Sequence, residues 1–531
     1  MQKIEKFLIR YPEKAFFLLL LLALPAFFIN LGLLPLFADE PTRASVALEM
    51  ILSGNYAVPT IGDEFYYNKP PLYNWLLAGV YQFTGSYTEF VTRLPAIIPM
   101  FLFAVTIYYS VKHFINDKRI ALVSGFLFLV NGRMLIYDSM LGHIDIFYSL
   151  LTFASFMLIF YFFQKEKWFW LFFTSYVITA LTFLSKGLPS VVFQGFTLFA
   201  LLVYTRNLKK LLSWQHILSG IVCLLIISSY FYNYYQYNPN LGGYLSTIWD
   251  QSSKRTATEF GLAATMFHMF SFPFEHLGHL FPASLLLLFC FHKDFIPGIK
   301  RSPFLKYLVI VFLANIWVYW LSPQTRPRYL LMLYPLIFIV WSHAYYTYKD
   351  RLPIASKVFE GIMMVLALLV SLAIPAALFT DLSLYVKYLE IKVFIIFGIC
   401  SIFALLIYRL KSQKLLAFIG LLLTVRLAFS LFVLPHRAYH KVENKYKAAA
   451  IEMGNISKGK EFFFYQYHPG EADIPFHDRL IFYIERTRMQ KVKFSEDNTK
   501  PGYYFTFDRD LNQPDALLIK KYQNLKLYQI R

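Results

Sequence analysis

Side chains able to move a proton or hold a phosphate are sparse in this chain, and they gather in short polar stretches between long apolar runs. The most polar of these in the first third is ADEPTRASVALEMILSGNYAVPTIGDEFYYNKPP, residues 38–71. It holds two adjacent carboxylates, Asp39 and Glu40, either of which could take a proton from a nucleophile. Arg43 and Lys69 add cations suited to a phosphate. Further on, IYDSMLGHIDIFYS places Asp138 and Asp145 seven residues apart at the start of an apolar run. Ionisable groups at membrane depth cost about 2.5–3.5 kcal/mol on insertion scales, so such carboxylates imply a cavity or a partner. His143 between them reads as a plain interfacial polar residue. Lys186-Gly187 separates two apolar runs, and SPQTRPRY carries Arg326, Arg328 and the Tyr329 hydroxyl, arginine being the better fork for a phosphate. Glu275, His276 and His279 fall within about one helical turn, a spacing that metal ligands use. A base, several cations and a groove for a lipid are what transfer of a group from a phosphate would need.

The elements that position these groups are legible in part. Asp39-Glu40 followed by Pro41 reads as a helix start, with a carboxylate accepting the orphan N–H groups and Pro41 in the first turn. The helix should run to about Gly54, because Ala44, Ala47, Leu48 and Ile51 form an apolar stripe; Arg43 then lies within one turn of both carboxylates. Gly62-Asp63 reads as a turn, and Lys69-Pro70-Pro71 leads into a second helix through Leu72, Trp75 and Leu76. Lys69 at a helix start faces N–H groups that attract anions, although such a lysine also reaches lipid head groups. Asp138 and Asp145 would share nearly one face of a continuous helix, with capping of short external turns as the alternative. Tyr230 to Asp250, rich in Tyr and Asn, should open an external loop reaching about Pro273, with the basic pair Lys254-Arg255, placed to act as a lid.

Composition sets the class. Of 531 residues, 57% are hydrophobic, 19% aromatic and 16% charged, with mean hydropathy +0.47, which excludes an ordinary soluble protein and predicts a polytopic α-helical membrane protein. The net charge of +19 is spread in small clusters between apolar runs, so it argues for topology and against nucleic acid. Spans beginning near residues 15, 94, 120, 144, 168, 187, 215, 276, 304, 328, 356, 391 and 415 give about thirteen transmembrane helices. Alternate loops, from Lys3–Lys14 to Arg409–Lys414, hold roughly twenty Lys and Arg against about half as many in the others; the basic set is cytoplasmic. The amino terminus is then inside, and the Asp39 loop and the carboxyl terminus outside. The chain divides into a membrane domain, 1–434, whose first extracytoplasmic loop is 37–93, and a small soluble α/β domain, 435–531, led by a helix near Lys441 to Met453. Asp473, His477 and Asp478 in that domain read as surface polar residues. Cys223, Cys290 and Cys400 fall in or at the ends of spans and imply no disulfide framework.

The ordered set DE-x-x-R, a helix ending in SGNYAVP, Lys69-Pro70-Pro71 before an aromatic-rich helix, and Thr92-Arg93-Leu94-Pro95 resembles the first extracytoplasmic loop of the membrane glycosyltransferases of the C fold. The group in question is that of the lipid A aminoarabinose transferases and protein O-mannosyltransferases. The resemblance covers most of the first 350 residues and implies inverting transfer of a sugar, hexose or pentose, from a polyprenyl-phosphate donor. The acceptor would be lipid A, an envelope glycan or a protein, on the outer side of a bacterial cytoplasmic membrane. It implies Asp39 as base or acceptor-orienting carboxylate, with Glu40 as the alternative, and Asp145 as its partner, with Asp138 open at that place. Arg43, Lys69, Arg326, Arg328, Tyr329 and Lys186 would meet the lipid phosphate. No cofactor is required, and a divalent metal is compatible, although Asn68 stands where some members of the group have a metal-binding glutamate. A polyprenyl-lipid flippase or transporter is the rival of a different class. It would place charges near the bilayer midplane on both sides of a repeat, whereas these gather at the outer ends of spans.

Overall fold

In hydrocarbon every backbone N–H must be satisfied within its own segment, and the Leu-, Phe- and Ile-rich runs of this chain accordingly fold as helices. The computed structural model describes residues 2–253, 257–467 and 477–531; Lys254, Arg255 and Asp473 lie outside the described residues. Among the described residues, eight helices are long and apolar enough to cross a membrane, or up to ten if each of two bent pairs is one span. This count does not confirm the expected thirteen. The runs beginning near 15, 187 and 328 fold as Pro12–Phe28, Pro189–Tyr204 and Tyr334–Tyr348, helices of 17, 16 and 15 residues, short of the roughly 20 that a hydrocarbon core requires.

The packing resolves two units. The first takes residues 1–31, 96–228 and 249–436 and contains most of the spans. Within it the stretch around Asp138 and Asp145 is not one continuous helix. Asn131 caps a new short helix, Gly132–Ile136, a 3-10 turn follows at Asp138–Met140, and the span proper is Ile144–Gln164. The two carboxylates thus leave the shared face that continuous helix would give them. A second sharp break, of 114°, separates Gly261–His279 from Ala283–Phe291.

The second unit takes residues 32–95, 229–248 and 437–531. Within it the first loop and the terminal segment share one apolar core. Leu36, Ala44, Leu48, Leu77 and Tyr81 pack with Ala450, Met453, Leu480, Ile484 and Phe505 in it. The terminal segment supplies a five-stranded sheet in the order Lys493–Ser495, Phe462–Tyr465, Gly502–Phe507, Leu525–Ile530, Leu517–Tyr522. The first three strands are parallel and the last two pairings antiparallel. Its helices are Glu443–Ile456 and His477–Arg488.

The loop helix is Glu40–Ser53, ended by Gly54 at φ 69°, a left-handed position that glycine takes without strain. Packed against both Leu72–Thr84 and His477–Arg488, it is buried on more than the expected stripe, since Val46, Ser45 and Glu49 are also inside. A two-residue hairpin follows, Thr60–Ile61 with Glu64–Phe65, turning at Gly62 and Asp63 with φ 61° and 65°. A Cβ at Gly62 would sit 2.2 Å from the Phe494 ring, so that turn needs glycine for space as well as for conformation. Tyr230 to Asp250, expected as loop, is mostly helical: Trp214–Tyr237 runs through its first part and Leu241–Ser253 follows.

Candidate active site

In the second unit the start of the loop helix sets the geometry. Asp39 is the N-cap residue, yet its carboxylate does not cap the helix. Glu40 does the local work, its Oε2 accepting the Phe37 N–H at 2.8 Å. Glu40 is fully buried and held by Arg93, whose Nε donates to Oε1 at 2.8 Å and Nη2 to Oε2 at 3.0 Å; Nη2 also donates to the Pro35 carbonyl at 3.1 Å. Arg93, which the sequence offered only as part of a motif, is thus the counter-ion of one candidate base. Asp39 stays exposed at the same helix start.

Arg43, one turn along, is 6% exposed and donates from Nη2 to the Tyr66 hydroxyl at 2.8 Å. Its Nε and Nη1 have no hydrogen-bond partner among the described residues. A buried guanidinium with open donors favours an anion, since each unmade hydrogen bond to a buried charge costs free energy. Tyr66 was not singled out in the sequence. Burial raises the pKa of its hydroxyl, with Arg43 opposing and the Asp478 and Asp39 carboxylates reinforcing, so it stays a neutral donor. Lys69 is half-buried three residues before Leu72–Thr84, and its backbone carbonyl accepts from the Tyr244 hydroxyl at 3.1 Å. Asn238 steadies the same loop, donating to the hydroxyls of Tyr67 at 3.2 Å and Tyr234 at 2.7 Å.

The first unit holds its own cluster. Asp145, in the first turn of Ile144–Gln164, accepts from Lys186 and lies 3.3 Å from Arg328 Nε. All three side chains are less than one-tenth exposed. The Lys186 ammonium stands 4.8 Å from the ring centres of both Tyr148 and Tyr329, so two aromatic faces and one carboxylate surround it. His143, expected at an interface, is 3% exposed, with Nδ1 3.2 Å from Arg328 Nη1. Two cations against one carboxylate leave a surplus positive charge, the condition for attracting a phosphate. Asp138 is engaged elsewhere, in a two-point pair with Arg133 at 2.7 and 3.0 Å. Arg326 is exposed. The three residues with metal-like spacing have different partners: His276 is buried against the Tyr334 hydroxyl at 2.9 Å, while His279 faces Glu275 at 3.1 Å.

A chain of this architecture has the C fold of the membrane glycosyltransferases. It aligns over 96% of its length, and 97% of the other chain, with the crystal structure of ArnT from Cupriavidus metallidurans bound to undecaprenyl phosphate, at TM-score 0.66 and 16% identity. The sequence profile of the dolichyl-phosphate-mannose-protein mannosyltransferases matches residues 68–232. Among curated relatives, the undecaprenyl phosphate-alpha-4-amino-4-deoxy-L-arabinose arabinosyl transferase of Shewanella sediminis (strain HAW-EB3) is 31% identical over 209 residues, 36% of each chain. A protein of Aquifex aeolicus (strain VF5) is 26% identical over 243 residues, 46% of this chain and 48% of that one. The chain thus spans less than half the length of the curated relatives it matches.

Proposed function

We propose that the protein transfers a sugar from a polyprenyl-phosphate carrier to an acceptor on the outer face of a bacterial cytoplasmic membrane, with its amino terminus inside and its terminal domain outside. The observation that carries this reading is the buried Asp145, Lys186 and Arg328 cluster with its surplus positive charge, in a fold that ArnT presents bound to undecaprenyl phosphate. In the same unit an apolar cavity of about 330 Å3, lined among others by Phe272, Leu277, Phe312 and Trp320, is of a character that suits an isoprenoid chain.

Asp39 takes the proton of an acceptor hydroxyl as its oxygen bonds to the anomeric carbon. The bond from that carbon to the phosphate oxygen breaks, and the polyprenyl phosphate leaves with the electron pair. Direct attack inverts the anomeric centre. Each unit offers cations for the charge that develops on a leaving phosphate: Arg43 and Lys69 in the second, and Lys186 and Arg328, beside the Tyr329 ring, in the first. These four cations supply the charge neutralisation that a divalent metal could otherwise give, so the reading requires no resident metal. The acceptor is lipid A or another envelope glycan in preference to a protein side chain, because the terminal domain is small.

The test is transfer of label from a pool of polyprenyl-phosphate sugars to envelope material, by membranes with equal amounts of wild-type protein and Asp39→Asn, with and without EDTA. Removal of a general base is expected to slow transfer by about 10²–10⁴-fold, and EDTA to leave the wild-type rate unchanged. Undiminished transfer by Asp39→Asn would remove Asp39 from the chemistry, and loss with EDTA would restore a metal to it. Carrier lipid moved across vesicles without sugar transfer by either protein would overturn the reading in favour of transport.

A further inference from the structure

The terminal domain reaches the loop that carries Asp39. Its helix His477–Arg488 presents polar side chains to the loop along much of its length. Tyr483 accepts the Leu36 N–H at 3.0 Å and donates to Glu89 at 2.9 Å, while Arg486 donates to the Tyr87 carbonyl at 3.2 Å. At the helix start, Asp478 accepts a hydrogen bond from the Thr42 hydroxyl. Thr42 lies in the first turn of the loop helix, between Asp39 and Arg43. At that turn Glu40 accepts the Phe37 N–H, and the bond from Thr42 to Asp478 ties the same turn to the terminal domain. The Asp478 and Asp39 carboxylates also act on the same buried Tyr66 hydroxyl that Arg43 binds, which puts the two carboxylates in one neighbourhood.

We propose that Asp478 is a positioning residue: through its bond to Thr42 it fixes the first turn of the loop helix, and with it the Asp39 carboxylate and the Arg43 guanidinium. This gives the terminal domain a part in the site, and it rests on the transferase reading for its kinetic consequence alone. Displacing reacting groups by about 1 Å costs up to about 10²-fold in rate, so a bond remote from the chemistry can govern it.

The full-length chain carries the test, as wild type, Thr42→Val, Asp478→Ala, Asp478→Asn and the double variant Thr42→Val/Asp478→Ala. Hydrogen exchange at the amides of residues 39–45 reads the turn without reference to activity, and transfer kinetics read the consequence. Thr42→Val and Asp478→Ala should each speed exchange there, and each lower kcat by about tenfold or more with little change in KM. The double variant should be no worse than either single one, because the two remove the same bond. Asp478→Asn keeps an oxygen acceptor for Thr42 and should stay near wild type in both readouts. Asp478→Ala with wild-type exchange and kcat, losses that multiply in the double variant, or Asp478→Asn as slow as Asp478→Ala would each overturn the proposal. If Asp478→Ala does not fold, Thr42→Val decides by the same two readouts. A wild type that never transfers sugar would defeat the transferase reading, while the exchange result would still decide whether Asp478 holds the turn.

Discussion

Glu40 and Asp39 are neighbours in sequence with opposite fates. Glu40 is sealed in a two-point ion pair with Arg93 and also accepts the Phe37 N–H, three bonds on a fully buried carboxylate. Breaking such a pair by removing one partner typically costs about 3–5 kcal/mol, because a buried charge is left uncompensated. Glu40→Gln should therefore lower the thermal midpoint of the purified protein and its yield in membranes. Glu40→Met combined with Arg93→Met should recover part of the loss, since apolar side chains of similar volume often replace a buried pair at little cost. A fully stable Glu40→Gln that fails to transfer would instead make Glu40 the chemical group. Asp145 follows a related logic with a different result: it too is buried and paired, but with two cations, and the cation in excess is what an anionic ligand can use.

Between elements, the loop helix and His477–Arg488 meet through two buried carboxyl groups. Glu49 accepts from the Thr60 hydroxyl at 2.6 Å and from the Gly62 N–H, while Glu485 accepts the Val492 N–H at 3.0 Å. Burial raises both pKa values, and for Glu485 the neighbouring Glu49 carboxylate raises it further, well above the usual carboxylate range. The pair therefore keeps a proton above the pH at which an ordinary glutamate has lost its own. An unfolded glutamate titrates near pH ~4.3, so above that the folded state binds more protons than the unfolded one, and stability falls as pH rises through the window. Glu485→Gln keeps the oxygen that accepts from Val492 and removes the titration. Its thermal midpoint should exceed that of wild type at about pH 8 and match it near pH ~4, with about 2–4 °C for each kcal/mol. An equal offset at both pH values would show that the pair holds no extra proton.

Across the whole molecule, the proposed topology, argued from the distribution of Lys and Arg, has the amino terminus and the Lys165 loop on the cytoplasmic side and the terminal domain outside. Lys500 is exposed in the terminal domain, and Lys165 follows the span Ile144–Gln164. Lys500→Cys should react with a membrane-impermeant maleimide on spheroplasts, and Lys165→Cys only after permeabilisation. The reverse pattern would invert the topology and place the Asp39 loop on the wrong side for an envelope acceptor.

The sequence by itself determined the membrane class, the helix from Glu40 to Gly54, the turn at Gly62-Asp63 and the helix after Lys69-Pro70-Pro71. These follow from local composition, from the 3.6-residue period and from Pro and Gly chemistry, all of which act within a few residues. With the family resemblance it also grouped Arg43, Lys69, Lys186, Arg326, Arg328 and Tyr329 around the lipid phosphate and set Asp145 beside Asp39. Tertiary structure decided how the polar groups are partnered. Arg93 neutralises Glu40 from 53 residues away, and His143 turns inward onto Arg328. Asp478 answers Thr42 across 436 residues, and the first loop shares its core with the terminal domain. Nothing local distinguishes a carboxylate that will be buried from one that will stay exposed, because that difference is set by which distant segments cover it when the core closes.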